Sequence, residues 1–272
     1  MKKFNLHLVS DSTGETVSSV ARAALAQFNE VQEEEFNWTL VRSKSQLDKV
    51  IESIHENPGV VMYTLVDPAL REILKLECAR RGLPCIAVLA NVVNELSTYL
   101  GMEVHALPGR QHELNEDYFS RVEAINYALA HDDGQGTWEL DNADIVIVGV
   151  SRTSKSPTCM YLAYKGYKTA NIPFVLDCPL PPNLEQLKKP LVVGLTINPE
   201  RLQQIRKTRL QSINQEADTN YVDMEYMQRE ISESRKLYQK NKWPVIDVTK
   251  RSVEETAATI IQYVKKHQEK HQ

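Results

Sequence analysis

The sequence predicts an α/β protein built as two units, each a parallel sheet covered by helices. Three observations lead there. Short apolar stretches alternate with segments whose apolar residues recur at helical spacing. The alternation halts at a polar run, His131-Asp132-Asp133-Gly134-Gln135-Gly136, and then resumes. The second alternation opens with a wholly apolar strand that runs through a hydroxyl-rich loop into a helix. The junction is placed at the polar run, giving units 1–135 and 136–272.

In the first unit, Phe4 to Ser10 reads as a strand. Val17, Val20, Ala21 and Ala24 form one face of a helix from about Glu15 to Phe28. Phe36 to Val41 is the second strand. Leu47, Val50, Ile51 and Ile54 mark a helix over Ser45 to His55. Val60 to Val66 is nearly all apolar, as a strand buried on both faces must be. Asp67-Pro68 opens the next helix, because Asp caps and Pro suits the first turn. Gly82 closes it, and Cys85 to Leu89 is the fourth strand. The segment His105 to Asn115, with Pro108-Gly109, is turn-rich. Tyr118 to Ala130 is a helix with Val122, Ile125 and Leu129 in register.

In the second unit, Ala143 to Gly149 is a buried strand and Ser156 to Tyr164 a helix. Ile172 to Leu176, Leu191 to Leu195 and Val245 to Val248 are strands. Pro199 to Arg209 and Tyr221 to Lys240 are polar helices. Ser252 and Glu255 have capping-box spacing at the start of a last helix, to about His267. No internal sequence repeat is evident.

Bulk properties exclude several classes. At 272 residues and 42% hydrophobic, the chain can bury one large core or two medium ones. A formal net charge of −4 argues against nucleic acid as partner. Apolar runs such as Ile145 to Val148 are too short to span a membrane, and no secretory signal is visible. The cysteines, Cys78, Cys85, Cys159 and Cys178, form no CxxC pair, and no HExxH occurs. They read as small buried thiols in a reducing cytosol, and no structural metal site is expected.

The segment that carries chemistry is Gly149-Val150-Ser151-Arg152-Thr153-Ser154-Lys155-Ser156. It matches the phosphate-loop pattern GxxxxGK[ST] at the first Gly, the Lys and the final Ser. Ser154 stands where the second Gly belongs. In such loops, backbone N–H groups and the helix N-terminus face phosphate oxygens. Lys155 would reach the terminal phosphates and Ser156 would ligate Mg²⁺. If position 154 needs a positive φ, a side chain there costs about 1–2 kcal/mol. The first unit is therefore expected to be Rossmann-like and the second P-loop kinase-like.

Other residues could join this site. Arg201, Arg206 and Arg209 lie on a helix where arginines of small kinases meet the transferring phosphoryl group. Asp177 follows a strand and could hold a metal through water. Ser10-Asp11-Ser12-Thr13-Gly14-Glu15-Thr16 lies between a strand and a helix, where open α/β sheets bind ligands. Asp11 is the candidate general base. His131, Asp132 and Asp133 form a polar helix end that could line the site.

The segments Ser10 to Thr16, Tyr127 to Gly134, Gly149 to Thr158 and Gly194 to Leu202 together resemble the pyruvate, phosphate dikinase regulatory protein family. The resemblance covers essentially the whole chain, in the same order. The combination is more specific than the phosphate loop alone, and it implies a bifunctional serine/threonine kinase and phosphorylase. Such proteins inactivate the dikinase by phosphorylating a threonine near its catalytic histidine, with ADP as donor. They restore it by attacking the phosphothreonine with inorganic phosphate, which releases pyrophosphate. The resemblance further implies a homodimer. A sister branch acts on phosphoenolpyruvate synthase and more often keeps Gly before the loop lysine, so Ser154 favours the dikinase branch. On the residues alone, a small-molecule P-loop kinase and a non-catalytic nucleotide-binding regulator also remain open.

Overall fold

The computed structural model describes residues 1–105, 116–212 and 220–271. The turn expected at Pro108-Gly109 lies outside the described residues. The chain forms two compact units, Met1–Glu113 and Leu114–Gln272.

The first unit runs β1 (Lys2–Ser10), α1 (Glu15–Leu25), β2 (Val31–Trp38), α2 (Lys44–Glu56), β3 (Gly59–Thr64), α3 (Pro68–Arg80), β4 (Cys85–Ala87), α4 (Ala90–Leu100). Its strands are all parallel, in the order β2-β1-β3-β4. Side chains of β1 alternate between two helical layers, as a strand's period of two requires. Leu6 and Leu8 pack with Val17 and Ala21 of α1. Val9 packs with Leu47 and Val50 of α2 and Leu74 of α3. Local chemistry sets the helix starts. Ser43 and Gln46 form a reciprocal capping box on α2, and the Asp67 carboxylate accepts from Ala69 N and Leu70 N ahead of α3.

The second unit runs α5 (Glu116–Ala130), β5 (Ile145–Gly149), α6 (Lys155–Tyr164), β6 (Thr169–Pro173), β7 (Leu191–Thr196), α7 (Pro199–Ser212), α8 (Met224–Lys240), β8 (Val245–Asp247), α9 (Val253–His271). Its sheet is again parallel, ordered β6-β5-β7-β8. Ile145 and Ile147 of β5 pack with Leu162 of α6 and Ile260 of α9, while Val146 and Val148 face Leu140 and Tyr238. The Ser252–Glu255 capping box is present, with Ser252 N donating to Glu255 Oε2 at 2.8 Å and Glu255 N to Ser252 Oγ at 3.1 Å.

The two sheets share one topology. In each, the first strand pairs with the second on one side and the third on the other, so the strand order reverses beside the first strand. Ligands of open α/β sheets bind at this reversal, outside the carboxyl ends of the strands. The loops there are Ser10–Gly14 and Val150–Ser154. Each ends in a left-handed residue that caps the next helix, Gly14 at φ 82° and Ser154 at φ 60°.

Four elements differ from the sequence reading, one of them the strand expected over Ile172 to Leu176, which is Thr169–Pro173. The strand expected over Phe36 to Val41 is Val31–Trp38, paired from Lys2↔Val31 to Val9↔Trp38. It is an edge strand whose glutamates reach solvent, so its apolar signal is weak. Helix α4 was not expected, and none of its residues is buried. Helix α5 belongs with the second unit rather than ahead of a junction at 135, because Ala124 and Ala128 pack on Ala163 of α6. Among the described residues, no helix is long and apolar enough to cross a membrane.

Candidate phosphate site

Strand β5 is buried throughout and delivers the chain to Gly149. The loop then folds back tightly. A Cβ on Gly149 would lie 2.8 Å from Thr153 Oγ1 and 3.2 Å from the Leu195 carbonyl, so only glycine fits. Thr153 Oγ1 donates to the Val150 carbonyl at 2.8 Å, and Lys155 Nζ donates to the same oxygen at 3.1 Å. Arg152 and Ser154 both adopt positive φ, 71° and 60°. The position where the pattern has its second Gly therefore does require the left-handed conformation, and Ser154 occupies it without a side-chain cap bond.

Lys155 is buried. Burial pushes its ammonium down to about 8, partly offset by the negative charges of Asp133, Glu230 and Asp132 nearby. It is a cation held in a low-dielectric setting, where an anionic ligand gains most.

Ser156 Oγ donates to Asp132 Oδ1 at 2.8 Å. Asn171 Nδ2 donates to the same Asp132 oxygen at 2.5 Å and to Ser156 Oγ at 2.9 Å. The polar helix end at His131 to Asp133 thus does reach the loop, through Asp132. Asn171 escaped the sequence reading. Its signal was a carboxamide inside an otherwise buried strand, Thr169–Pro173, where a polar side chain needs a partner.

The arginines divide. Arg206 is 1% exposed, and its Nη2 bonds Glu230 Oε2 at 2.8 Å and the Ser151 carbonyl at 3.2 Å. Its Nη1 donates to the Tyr221 carbonyl at 3.1 Å, and its plane lies over the Tyr221 ring. Those bonds commit its guanidinium to shaping the loop from behind, which corrects the expectation that it holds phosphate directly. Arg201 and Arg209 are exposed on α7. Arg152 Nε donates to Tyr221 Oη at 3.2 Å. Asp177, at φ 60°, lines a cleft of about 760 Å³ beyond the end of β6, with Arg229 and Glu233 of α8 on its wall.

Asp11 lies in the first unit, and Lys155 in the second. The Asp11 carboxylate accepts from Val66 N at 2.6 Å, and its carbonyl accepts from Arg42 Nε at 2.8 Å. Burial raises its pKa, and the Val66 hydrogen bond works against that rise. Ser10 Oγ accepts from Ser12 N and from Thr64 Oγ1 at 3.0 Å. These bonds fasten the loop after β1 to the end of β3.

The residues suit a magnesium–phosphate ligand in one respect. The Ser156 proton is committed to Asp132, which leaves hydroxyl lone-pair density for a cation. Among the described residues, no group of three or more His, Cys, Asp or Glu could hold a metal unaided. A Mg²⁺ here would draw most of its ligands from phosphate and water, as that ion commonly does.

Residues 6–261 match the family described as Kinase/pyrophosphorylase. The chain is 54% identical over 270 residues to a protein of Paramagnetospirillum magneticum, covering 99% of this chain and 87% of the relative. It is 49% identical to one from Erythrobacter litoralis, covering 100% and 96%, and 52% identical to one from Maricaulis maris, covering 95% and 92%. All three relatives are provisionally named pyruvate, phosphate dikinase regulatory protein. With the family matched over nearly its full length, the chain belongs to the kinase/pyrophosphorylase family.

Proposed function

We propose that this protein regulates pyruvate, phosphate dikinase by moving phosphate on and off a target threonine. In the inactivating direction the threonine oxygen attacks the β-phosphorus of ADP. A P–O bond forms to threonine, the bond to AMP breaks, and the threonine proton passes to a base. In the activating direction inorganic phosphate attacks the phosphothreonine, giving pyrophosphate and free threonine. Backbone amides of Gly149 to Ser156 cradle the nucleotide phosphates, and Lys155 stabilises charge on the phosphoryl group in transit. Ser156 helps place Mg²⁺, whose role when bound is to neutralise phosphate charge. Asp11 is the proposed base, and it must come within about 3 Å of the threonine hydroxyl to act. The active species is proposed to be a cytoplasmic homodimer.

One observation supports this reading above the others: a buried lysine and a carboxylate-bound serine sit side by side at the strand-order reversal of a chain in this family. The test is a phosphotransfer assay on purified dikinase, with phosphoenolpyruvate synthase in parallel and ADP compared with ATP. Threonine phosphorylation, located by mass spectrometry, is expected with ADP on the dikinase and absent with Lys155→Ala. Transfer to neither protein would reject the reading, and transfer to the synthase alone would reassign the target.

A further inference from the structure

Phosphate-loop folds usually hold the loop Ser or Thr with a carboxylate set beyond a neighbouring strand, and the pair serves the magnesium ion. Here the strand beside β5 on the inner side of the sheet is β7. It runs out through Thr196-Ile197-Asn198-Pro199, which carries no carboxylate. The serine is held instead from the opposite direction, by a residue that precedes β5 in the chain.

We propose that Asp132 is the carboxylate that positions Ser156 for a magnesium-bound diphosphate, and that Asn171 holds the pair in register. The inference rests on the nucleotide reading above and adds a positioning residue to it. The backbone explains why Asp132 arrives there. Past the end of α5 the chain wraps the edge strand β6 at one residue: Asn171 N donates to the His131 carbonyl at 2.9 Å, and Gly134 N donates to the Asn171 carbonyl at 2.8 Å. Asp133 at φ 51° and Gly134 at φ 81° turn the chain sharply enough to close this latch. A Cβ on Gly134 would meet Pro173 Cδ at 3.3 Å, so the turn lies close against the strand end.

The latch places one carboxylate oxygen where it accepts two hydrogen bonds, from Ser156 Oγ and Asn171 Nδ2. A serine hydroxyl has one proton and two lone pairs. The hydroxyl proton is donated in a hydrogen bond to Asp132, and Asn171 donates to one lone pair, at 2.9 Å. One lone pair remains, in a fixed direction. Asn171 is 2% exposed, so its carboxamide cannot turn to solvent and is confined to this triad.

The experiment is a double-mutant cycle on the full chain, read by calorimetric ADP binding with Mg²⁺ and with EDTA. The wild type is expected to bind ADP more tightly with Mg²⁺. Asp132→Ala should lose about 10–100-fold of affinity in Mg²⁺, and change by less than about threefold in EDTA, where the serine has no cation to serve. In a Ser156→Ala background the same change should cost less than about threefold even with Mg²⁺, because Asp132 acts through the serine. Equal losses with and without Mg²⁺ would make Asp132 a structural brace and overturn the proposal. So would a full loss in the Ser156→Ala background, or wild-type binding by Asp132→Ala. A wild type that binds no ADP at all would sink the nucleotide reading and this inference together. Should Asp132→Ala melt below the assay temperature, the isosteric Asp132→Asn carries the same comparison.

Discussion

Arg206 Nη2 lies 2.8 Å from Glu230 Oε2, and the same nitrogen donates to the Ser151 carbonyl at 3.2 Å. One buried ion pair therefore joins α7, α8 and the phosphate loop. Removing one partner leaves the other charge buried and unpaired. Glu230→Ala is expected to cost about 3–5 kcal/mol in urea unfolding. Replacing both, as Arg206→Met with Glu230→Leu, should recover most of that loss, since no charge remains to be desolvated. The double variant should still bind ADP more weakly, because the Ser151 carbonyl has lost its donor. A single variant that loses under about 1 kcal/mol would show that solvent reaches the pair.

Ser154 holds φ 60° with no side-chain cap bond, a conformation that glycine adopts without the Cβ penalty. Ser154→Gly removes about 1–2 kcal/mol of strain and returns about 0.5–1 kcal/mol as extra freedom of the unfolded chain. The net expectation is a stabilisation of about 0.5 kcal/mol with ADP affinity retained. A thermal melt and a binding isotherm suffice to check it. A clear drop in stability would mean that the serine side chain makes a contribution that outweighs its strain.

What the sequence disclosed follows from which residues had to be buried. The strand Ile145–Gly149 is buried on both faces and could only be apolar. Likewise Asp67-Pro68 and Ser252–Glu255 announce their helices through local bonds that the structure contains. Strand Val31–Trp38 was displaced because an edge strand may present Glu33, Glu34 and Glu35 to solvent without penalty. Helix Ala90–Leu100 was missed because it lacks a side-chain N-cap bond and buries none of its residues. In the site, Gly149, Lys155 and Ser156 were legible from local spacing. The Asn171–Asp132–Ser156 triad was not, because its members are 39 and 24 residues apart and meet only when β6 and the end of α5 are latched together.

Asp11 offers two roles that one substitution separates. Its carboxylate accepts from Val66 N at 2.6 Å, which ties the ends of β1 and β3. Asp11→Asn keeps an oxygen for that bond but cannot take a proton. A base at this position predicts a fall in threonine phosphorylation of about 10²–10⁴-fold with little change in ADP affinity. A brace alone predicts near-normal transfer. The raised pKa adds a pH signature. The folded state holds the Asp11 proton more tightly than the unfolded state, so its contribution to stability falls as pH rises from the ordinary carboxylate value, 3.8, through the raised one. Asp11→Asn should flatten that part of the acid-side stability profile.

Lys155 sets the sharpest opposition between stability and function. Its ammonium titrates near 8 when folded, against 10.5 for an ordinary lysine. Between those values the unfolded chain binds the extra proton, so stability rises with pH across this window; below it the cost of burying the charge is present in full. That cost is on the order of 3 kcal/mol at pH 7. Lys155→Met removes it together with the hydrogen bond to the Val150 carbonyl, which keeps its bond from Thr153 Oγ1. The variant is therefore expected to be more stable than wild type by about 2 kcal/mol at pH 7. The advantage should shrink as pH rises from 8 towards 10.5, while ADP binding is lost at every pH. In the wild type, ADP affinity should weaken as pH rises past about 8 and the charge is lost. Urea unfolding of both proteins across this pH range, alongside binding isotherms, tests all three expectations. A variant no more stable than wild type at pH 7 would mean that the lysine reaches water and carries no buried charge for phosphate to meet.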